Sequence, residues 1–578
     1  MGLVIDGAII LLYFVAISAI GLYMGRKEKT LHGFALGGRM VPWWAVMASI
    51  IAAETSAATF LGAPGEGFEK RSLAYVQLTL GVIIGRWVVG TVFLKPYYEY
   101  KVYTVYDYLA IRFGPRTKSF VSALFLLMRT LASGTRLFIP SLVMVLAWKL
   151  FAENGGKTVA FQQVDTVGPY LVAIITLTIL TAFYTAKGGI KAVIWTDVVQ
   201  AALMFGSALI AIATLLNHIG GLDALLKAVP AMKTHEGYFV TGFEPDLVAE
   251  WQKSSGHVGP MGFFDYVKLI FTGDYTIFSA LFGATMMNIA MFGTDQDMVQ
   301  RMLTAETHQK AKRSLLTAAF MDVPIAAVFT FIGILLYVYY QQVPANMPKA
   351  NSDIFGAYIL NVMPVGIRGL VLAGVFATAM GSLSAALNAL ATSATNDWYV
   401  PALAKRGQYS DEKVMAGARF FTVVFAVLMV IVAGAFAYMK VKNPDIRIIP
   451  VVLGIAGYIV GPMLGVFLLG MFTKNRGSDK GNMLAVVIGL LTTGFLGDLH
   501  IKVLDPLGVK IAHPAWLPQI SFTWFALIGS LTVFLVGVWF TTPPEVLEAA
   551  RRKREDVGDD DATPPSMRDG GEPATAER

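Results

Sequence analysis

Apolar residues come in blocks about twenty long, divided by short polar stretches, and each block is long enough to cross a bilayer core of about 30 Å. The blocks fall near 4–24, 41–62, 74–94, 119–150, 168–186, 190–216, 271–302, 312–341, 354–398, 415–439, 447–472, 481–500 and 518–541. Backbone amides and carbonyls in lipid must be satisfied inside the segment, so the blocks predict helices. The expected fold is an all-α polytopic membrane protein with about thirteen transmembrane helices.

Composition narrows this picture. The chain has 578 residues, 55% hydrophobic and 15% charged, with a mean hydropathy of +0.60. A soluble domain carries about 25% charged residues. There is no cysteine, which excludes a disulfide framework and a thiol nucleophile. The seven histidines are scattered, which argues against a transition-metal site. No convergent catalytic set is visible, so the chain is not expected to be an enzyme, and no cofactor is expected.

The net charge of +7 reads as a topology signal. Basic loops recur on one predicted side: Lys95 to Lys118, Arg301 to Arg313, Lys405 to Lys413, Lys474 to Lys480, and Arg551 to Arg554. Arg26, Lys27 and Lys29 follow the first block, and no basic residue precedes it. This predicts a plasma (inner) membrane protein with its N-terminus outside and its C-terminus in the cytoplasm. A nucleic-acid partner would need these charges gathered on one surface. Residues 217–270 are predicted external, with room for a short amphipathic helix. The tail from residue 542 to 578 is too polar to fold alone and is expected to be disordered.

Polar residues inside apolar blocks carry the chemistry. Glu54, Arg86, Arg129, Arg136, Asp197 and Asp322 fall in or near spans, where a charge costs about 2.5–3.5 kcal/mol even on lenient scales. As a set they predict a solvated path through a helix bundle. The run Ala52 to Gly65, with its hydroxyls and its Gly-Ala-Pro-Gly end, predicts a helix that opens or ends early, or else a tight packing face. Asn288 to Asp297 is a second candidate break, five spans later, the spacing of two inverted five-helix repeats. Gly381-Ser382-Leu383-Ser384-Ala385-Ala386-Leu387-Asn388 is either a close-packing surface or a source of ion ligands.

Several ordered motifs resemble the solute:sodium symporter family, whose members share the LeuT-like inverted-repeat fold. They are Val41-Pro42-Trp43-Trp44 with Ala52 to Gly62, Tyr103-Thr104 with Arg112-Phe113, Gly188-Gly189 with Trp195-Thr196-Asp197 and Gln200, Gln300-Arg301, and Gly381-Ser382 through Asp397. The resemblance covers residues 4–480. It implies an extra N-terminal helix and loop (1–40), a first repeat (41–217), an extracellular loop (218–270), a second repeat (271–473) and two further helices (474–541).

The resemblance also implies a sodium site between the first and eighth core helices. Ala52, Thr55 and Thr378 would offer carbonyls and Ser382 a hydroxyl, with Asp197 near the ion path and Ser384 at a second-site position. Family members commonly carry two adjacent hydroxyl residues where this chain has Gly381 before Ser382, so one ligand is missing, replaced by water or supplied by Glu54 or Ser56. One sodium per cycle is expected. Most of the sugar-binding set is absent at Ala58, Thr59, Thr79 and Asp322. Ser56 and Thr59 resemble hydroxyls that hold a carboxylate, and Arg129 and Arg136 lie seven apart on one helical face. The expected solute site therefore comprises Ser56, Thr59, Thr79, Arg129, Arg136, Asn288 and Phe292, with Glu54 and Asp322 in coupling roles.

The function expected is sodium-coupled symport of a small, carboxylate-bearing solute (a monocarboxylate, sialic acid or amino acid) by alternating access. The partners would be that solute, sodium and the lipid bilayer. A sugar or polyol symporter, a proton-coupled variant, and an uncoupled channel or sensor with the same fold are the alternatives.

Overall fold

The computed structural model describes residues 2–26, 28–150, 166–228, 240–256, 259–344, 347–348, 353–442, 448–504, 514, 517 and 519–552. Helices dominate throughout. The elements used below are α1 (Gly2–Gly25), α2 (Trp43–Glu54), α3 (Ala57–Lys70), α4 (Thr79–Val88), α5 (Pro115–Arg136), α6 (Gly168–Ile219) and α7 (Thr285–Thr294). After these come α8 (Gln296–Met302), α9 (His308–Gln342), α10 (Ile367–Ser393), α11 (Asp411–Lys442), α12 (Ile448–Phe472), α13 (Asp479–Leu496) and α14 (Phe525–Gly537).

Each apolar block falls on helix. At 52 residues, α6 would run about 78 Å at 1.5 Å per residue, more than twice a bilayer core. It holds two predicted spans, and the chain changes direction between them at Gly189 (φ 56°, ψ −153°). Only glycine fits there, because a Cβ would sit 2.6 Å from the Phe34 carbonyl oxygen. Among the described residues seven helices are long and apolar enough to cross a membrane, and an eighth if the pair Leu31–Arg39 and Trp43–Glu54, bent by 114°, is one span. Interrupted spans escape such a test because neither half is long enough alone.

The helices do not share lipid contact equally. In α1 28% of the most apolar stretch is buried, against 94% in the Ile367–Lys405 span that contains α10. Thus α1 faces lipid and α10 is the centre of the bundle. It packs on α6, α1, α11, α5, α2 and α3. Its small residues permit this: a Cβ on Gly374 would collide with Ser207 of α6.

Three details differ from the sequence expectation. The span predicted to end at residue 62 continues to Lys70, and the interruption expected within Ala52 to Gly65 lies at Thr55–Ser56. Pro64 is tolerated inside α3, where close neighbours from α9 (Gly333 against the Pro64 carbonyl) seal the backbone. The block 354–398 is two elements, Ile354–Asn361 and α10, because Pro364 and Gly366 (φ 83°) turn the chain between them. The tail begins with helix at 544–552, and residues 553–578 lie outside the described residues. The expected external loop contains three short helices, Leu222–Ala228, Pro245–Ser255 and Phe263–Thr272, with 229–239 outside the described residues.

Candidate functional site

The interruption between α2 and α3 organises the site. Thr55 (φ −78°, ψ 93°) and Ser56 (φ −82°, ψ 166°) are extended, so the carbonyls of Ala52 and Ala53 lose the amides that would cap them one turn later. Ser56 starts α3 as its N-cap, and its hydroxyl accepts from the Thr59 amide at 3.4 Å. The break therefore presents carbonyl oxygens on one side and a helix N-terminus on the other, attractive to a cation and an anion respectively.

Three clusters flank this break. The first joins α2, α6, α8 and α10. Asp197 is fully buried, and its Oδ2 accepts from the Ser49 hydroxyl at 2.6 Å and from Arg301 Nη2 at 3.4 Å. Arg301 also donates to Ser49 Oγ at 2.9 Å and to the Asp297 carboxylate at 2.6 Å. Asp197 Oδ1, by contrast, has no hydrogen-bond partner among the described residues. It faces Gly381 with the Ala52 carbonyl: a Cβ on Gly381 would be 3.4 Å from Asp197 Oδ1 and 3.6 Å from Ala52 O. One residue on, Ser382 Oγ donates to the Ala53 carbonyl at 3.4 Å. An unpartnered carboxylate oxygen and a helix-end carbonyl thus converge beside Gly381, oxygen donors of the kind that suit a small hard cation.

The second cluster is a small, partly open cavity of about 20 Å³, lined by Ser56, Ala57, Ser133, Arg136, Pro140 and Ser382 among others. Arg136 ends α5 and no described residue pairs with it. In this conformation the cavity has room for a water-sized group, so a solute enters only when the helices part. The third cluster is a buried ion triad. Arg86 Nη2 donates to Glu54 and, at 2.7 Å, to Asp322 Oδ2, while its guanidinium carbon lies 4.1 Å from the Phe292 ring centroid.

The predicted residues divide among these clusters. Ala52 and Asp197 face Gly381, and Ser382 next to it reaches the Ala53 carbonyl. Thr378, expected to offer its carbonyl, and Ser384 lie on the same helix; the Ser384 hydroxyl is turned to Gly381 O (3.0 Å). Ser56, Arg136 and Ser382 meet at the cavity, with Thr59 hydrogen-bonded to Ser56. Glu54, Asp322 and Phe292 meet at Arg86. Asn288 packs against α4 at Gly85 and donates to Ala284 O at 2.9 Å.

Two predicted solute contacts are placed elsewhere. Thr79 donates its hydroxyl to Val76 O at 2.7 Å. Arg129 is committed to Asp295 (3.1 Å) and Asp297 at the α7–α8 break, although it shares a helical face with Arg136. Sequence reasoning gave no role to Gln200, Arg301 or Ser133. Periodicity could have found two of them: Gln200 lies three residues after Asp197 and Ser133 three before Arg136, each pair on one face.

Interrupted helices in a polytopic α-helical bundle are an arrangement that many secondary transporters share. Residues 34–489 match the sodium:solute symporter family, and the chain belongs to that family. It is similar to a sodium/sialic acid symporter of Proteus mirabilis, 28% identical over 92% of this chain and 94% of the relative. It is also similar to sodium/myo-inositol cotransporter 2 of Bos taurus, 28% identical over 93% of this chain and 77% of the relative. A solved Na⁺-coupled sialic acid symporter, substrate-bound and outward-open, superposes with a TM-score of 0.69 at 25% identity, covering 93% of this chain and 97% of that one. The LeuT-like fold is thereby established for this multi-pass membrane protein.

Proposed function

We propose that this chain couples the entry of sodium to uptake of a small solute bearing a carboxylate, a sialic acid or a related acid. The observation that carries the carboxylate is Arg136. Arg136 lines the cavity without an acidic partner among the described residues, beside Ser56 and the N-terminus of α3. A guanidinium can grip a carboxylate through two parallel hydrogen bonds, and the helix end adds positive potential. A neutral polyol, the cargo named for the cotransporter 2 relatives, would not need that charge.

Sodium would be held by the Ala52 carbonyl, Asp197 Oδ1 and Ser382, with Thr55, Thr378 and Ser384 on the same two segments. Ser382 belongs to both clusters: it reaches the Ala53 carbonyl and also lines the cavity. An ion that fixes α2 against α10 therefore also sets the wall of the solute cavity, which is the physical link between the two cargoes. Arg86 neutralises one of the two carboxylates Glu54 and Asp322, leaving about one net negative charge beside the break when both are ionised. Each sodium entering down 100 mV supplies about 2.3 kcal/mol, enough for roughly fiftyfold accumulation. The two five-helix repeats would span 41–217 and 271–473, with the N-terminus outside and the basic loops in the cytoplasm.

The test is uptake of radiolabelled N-acetylneuraminate into proteoliposomes under a sodium gradient, competed by a panel of monocarboxylates, amino acids, myo-inositol and glucose. Competition by acids alone is expected. Competition by myo-inositol or glucose alone would overturn the carboxylate reading, and uptake indifferent to replacing sodium with choline would overturn the coupling.

A further inference from the structure

Where relatives place a hydroxyl, Gly381 offers only a hydrogen atom, and the space beside it is claimed from the opposite helix. A Cβ at this position would lie 2.8 Å from Gln200 Oε1, closer than real side chains approach. Gln200 is 1% exposed, and its Oε1 has no hydrogen-bond donor among the described residues. Leaving a buried amide oxygen unsatisfied costs about 1–3 kcal/mol, so a protein retains one only where something else uses it. The amide's other end is anchored: Nε2 donates to the Tyr13 hydroxyl at 3.3 Å, and that hydroxyl donates onward to Met380 Sδ at 3.7 Å. This anchor turns Oε1 towards Gly381, where Asp197 Oδ1 and Ala52 O also converge.

We infer that Gln200 Oε1 is a direct ligand of the transported sodium, filling the coordination position left open by the absent hydroxyl at 381. The inference rests on the sodium site proposed above. The chemistry suits the ion: one carboxylate oxygen with neutral amide and carbonyl oxygens holds a monovalent hard cation without trapping it. It also gives the glycine a purpose. Any side chain at 381 competes with the glutamine amide for one small volume.

The experiment is a sodium titration of thermal stability on the purified full-length protein in detergent, at constant ionic strength with choline as the balancing ion. A bound ion stabilises by RT ln(1 + [Na⁺]/Kd), so fitting the titration gives the half-saturating sodium concentration without any solute. Q200A should raise the half-saturating sodium concentration about tenfold. G381A should do the same, because its methyl displaces Oε1 and brings no oxygen. G381S brings its own hydroxyl and should stay within about threefold of wild type, and Q200A/G381S should recover most of what Q200A loses. Rescue of one substitution by the other cannot come from misfolding.

Q200E separates ligation from the rotated amide, in which the NH₂ would donate to Asp197 Oδ1. A ligating position gains charge and keeps or tightens sodium binding, whereas a donor position would set two carboxylates face to face and lose it. Weakened binding in Q200E, or unchanged binding in Q200A while S382A is impaired, would overturn the role of Gln200 and leave the sodium site standing. A wild type indifferent to sodium would remove the site itself, and the role of Gln200 with it.

Discussion

The chain interrupts two helices in the middle of the bundle, and the two interruptions are finished differently. At α2–α3 the carbonyl of Ala52 and the carboxylate oxygen of Asp197 face Gly381, and the cavity opens beside Ser56. At α7–α8 the exposed groups are taken up by the protein. Tyr97 donates to Gly293 O at 2.6 Å and Tyr106 to Thr294 O at 3.3 Å. Gln296 accepts from the Val105 amide at 2.9 Å and donates to Tyr103 O at 3.1 Å. Asp295 caps the Asp297 amide at 3.0 Å, and Arg129 bridges both carboxylates. A broken helix is therefore not itself a binding site. It becomes one only where neighbouring side chains leave its termini for a visitor.

The two arginines of α5 give the strongest way to break this contrast. Arg129→Met would leave Asp295 and Asp297 short of a buried cation, and removing one partner of such a pair costs about 3–5 kcal/mol. Thermal unfolding in detergent should show a large loss of stability. Normal stability with altered solute affinity would make the α7–α8 break a site after all. Arg136→Gln should behave in the opposite way. No described residue pairs with Arg136, so stability should change by no more than about 0.5 kcal/mol. Its solute contacts are worth about 1.5–3 kcal/mol, so the KM for N-acetylneuraminate should rise about 10- to 150-fold. Uptake kinetics in proteoliposomes read this directly, and an unchanged KM would remove Arg136 from the site.

Ser382→Ala tests the shared wall. Its hydroxyl bond to the Ala53 carbonyl is worth about 1 kcal/mol, so half-saturating sodium should rise about fivefold. KM for the solute should rise with it at limiting sodium and approach wild type at saturation, because the two cargoes meet at this side chain. A sodium-independent defect would mean that Ser382 serves the solute alone.

Much of this arrangement is legible in the sequence, and the remainder fails for identifiable reasons. Blocks of apolar residues locate the spans because lipid demands it. The break at Thr55–Ser56 falls inside the run Ala52 to Gly65 that predicts it, but its exact place is not legible, since Gly62 and Pro64 look like helix breakers until α9 packs against them. Arg129 and Arg136 are indistinguishable by spacing, as both lie on one face of α5. What separates them is which element stands opposite, and Asp295 and Asp297 arrive there from 166 and 168 positions along the chain. Gly381 was legible as a missing hydroxyl. That Gln200 reaches towards it depends on the crossing of α6 and α10, which no local pattern encodes.

The smallest expected effect sharpens the contrast from the sealed side. Tyr106→Phe removes one hydroxyl from the α7–α8 break and leaves the Thr294 carbonyl without that donor. The bond is long, at 3.3 Å, so the loss should fall near the lower end of the usual 0.5–1.5 kcal/mol. Tyr97→Phe, which deletes a bond of 2.6 Å to Gly293, should cost more. Neither should move half-saturating sodium, because the carboxylates beside the carbonyls they release, Asp295 and Asp297, are already paired with Arg129. The measurement is again the sodium titration of thermal stability, which reports both quantities at once. A shift in sodium affinity in Tyr106→Phe would show that the sealed break feels the ion, and that its polar finish is part of the coupling machinery and not only its support.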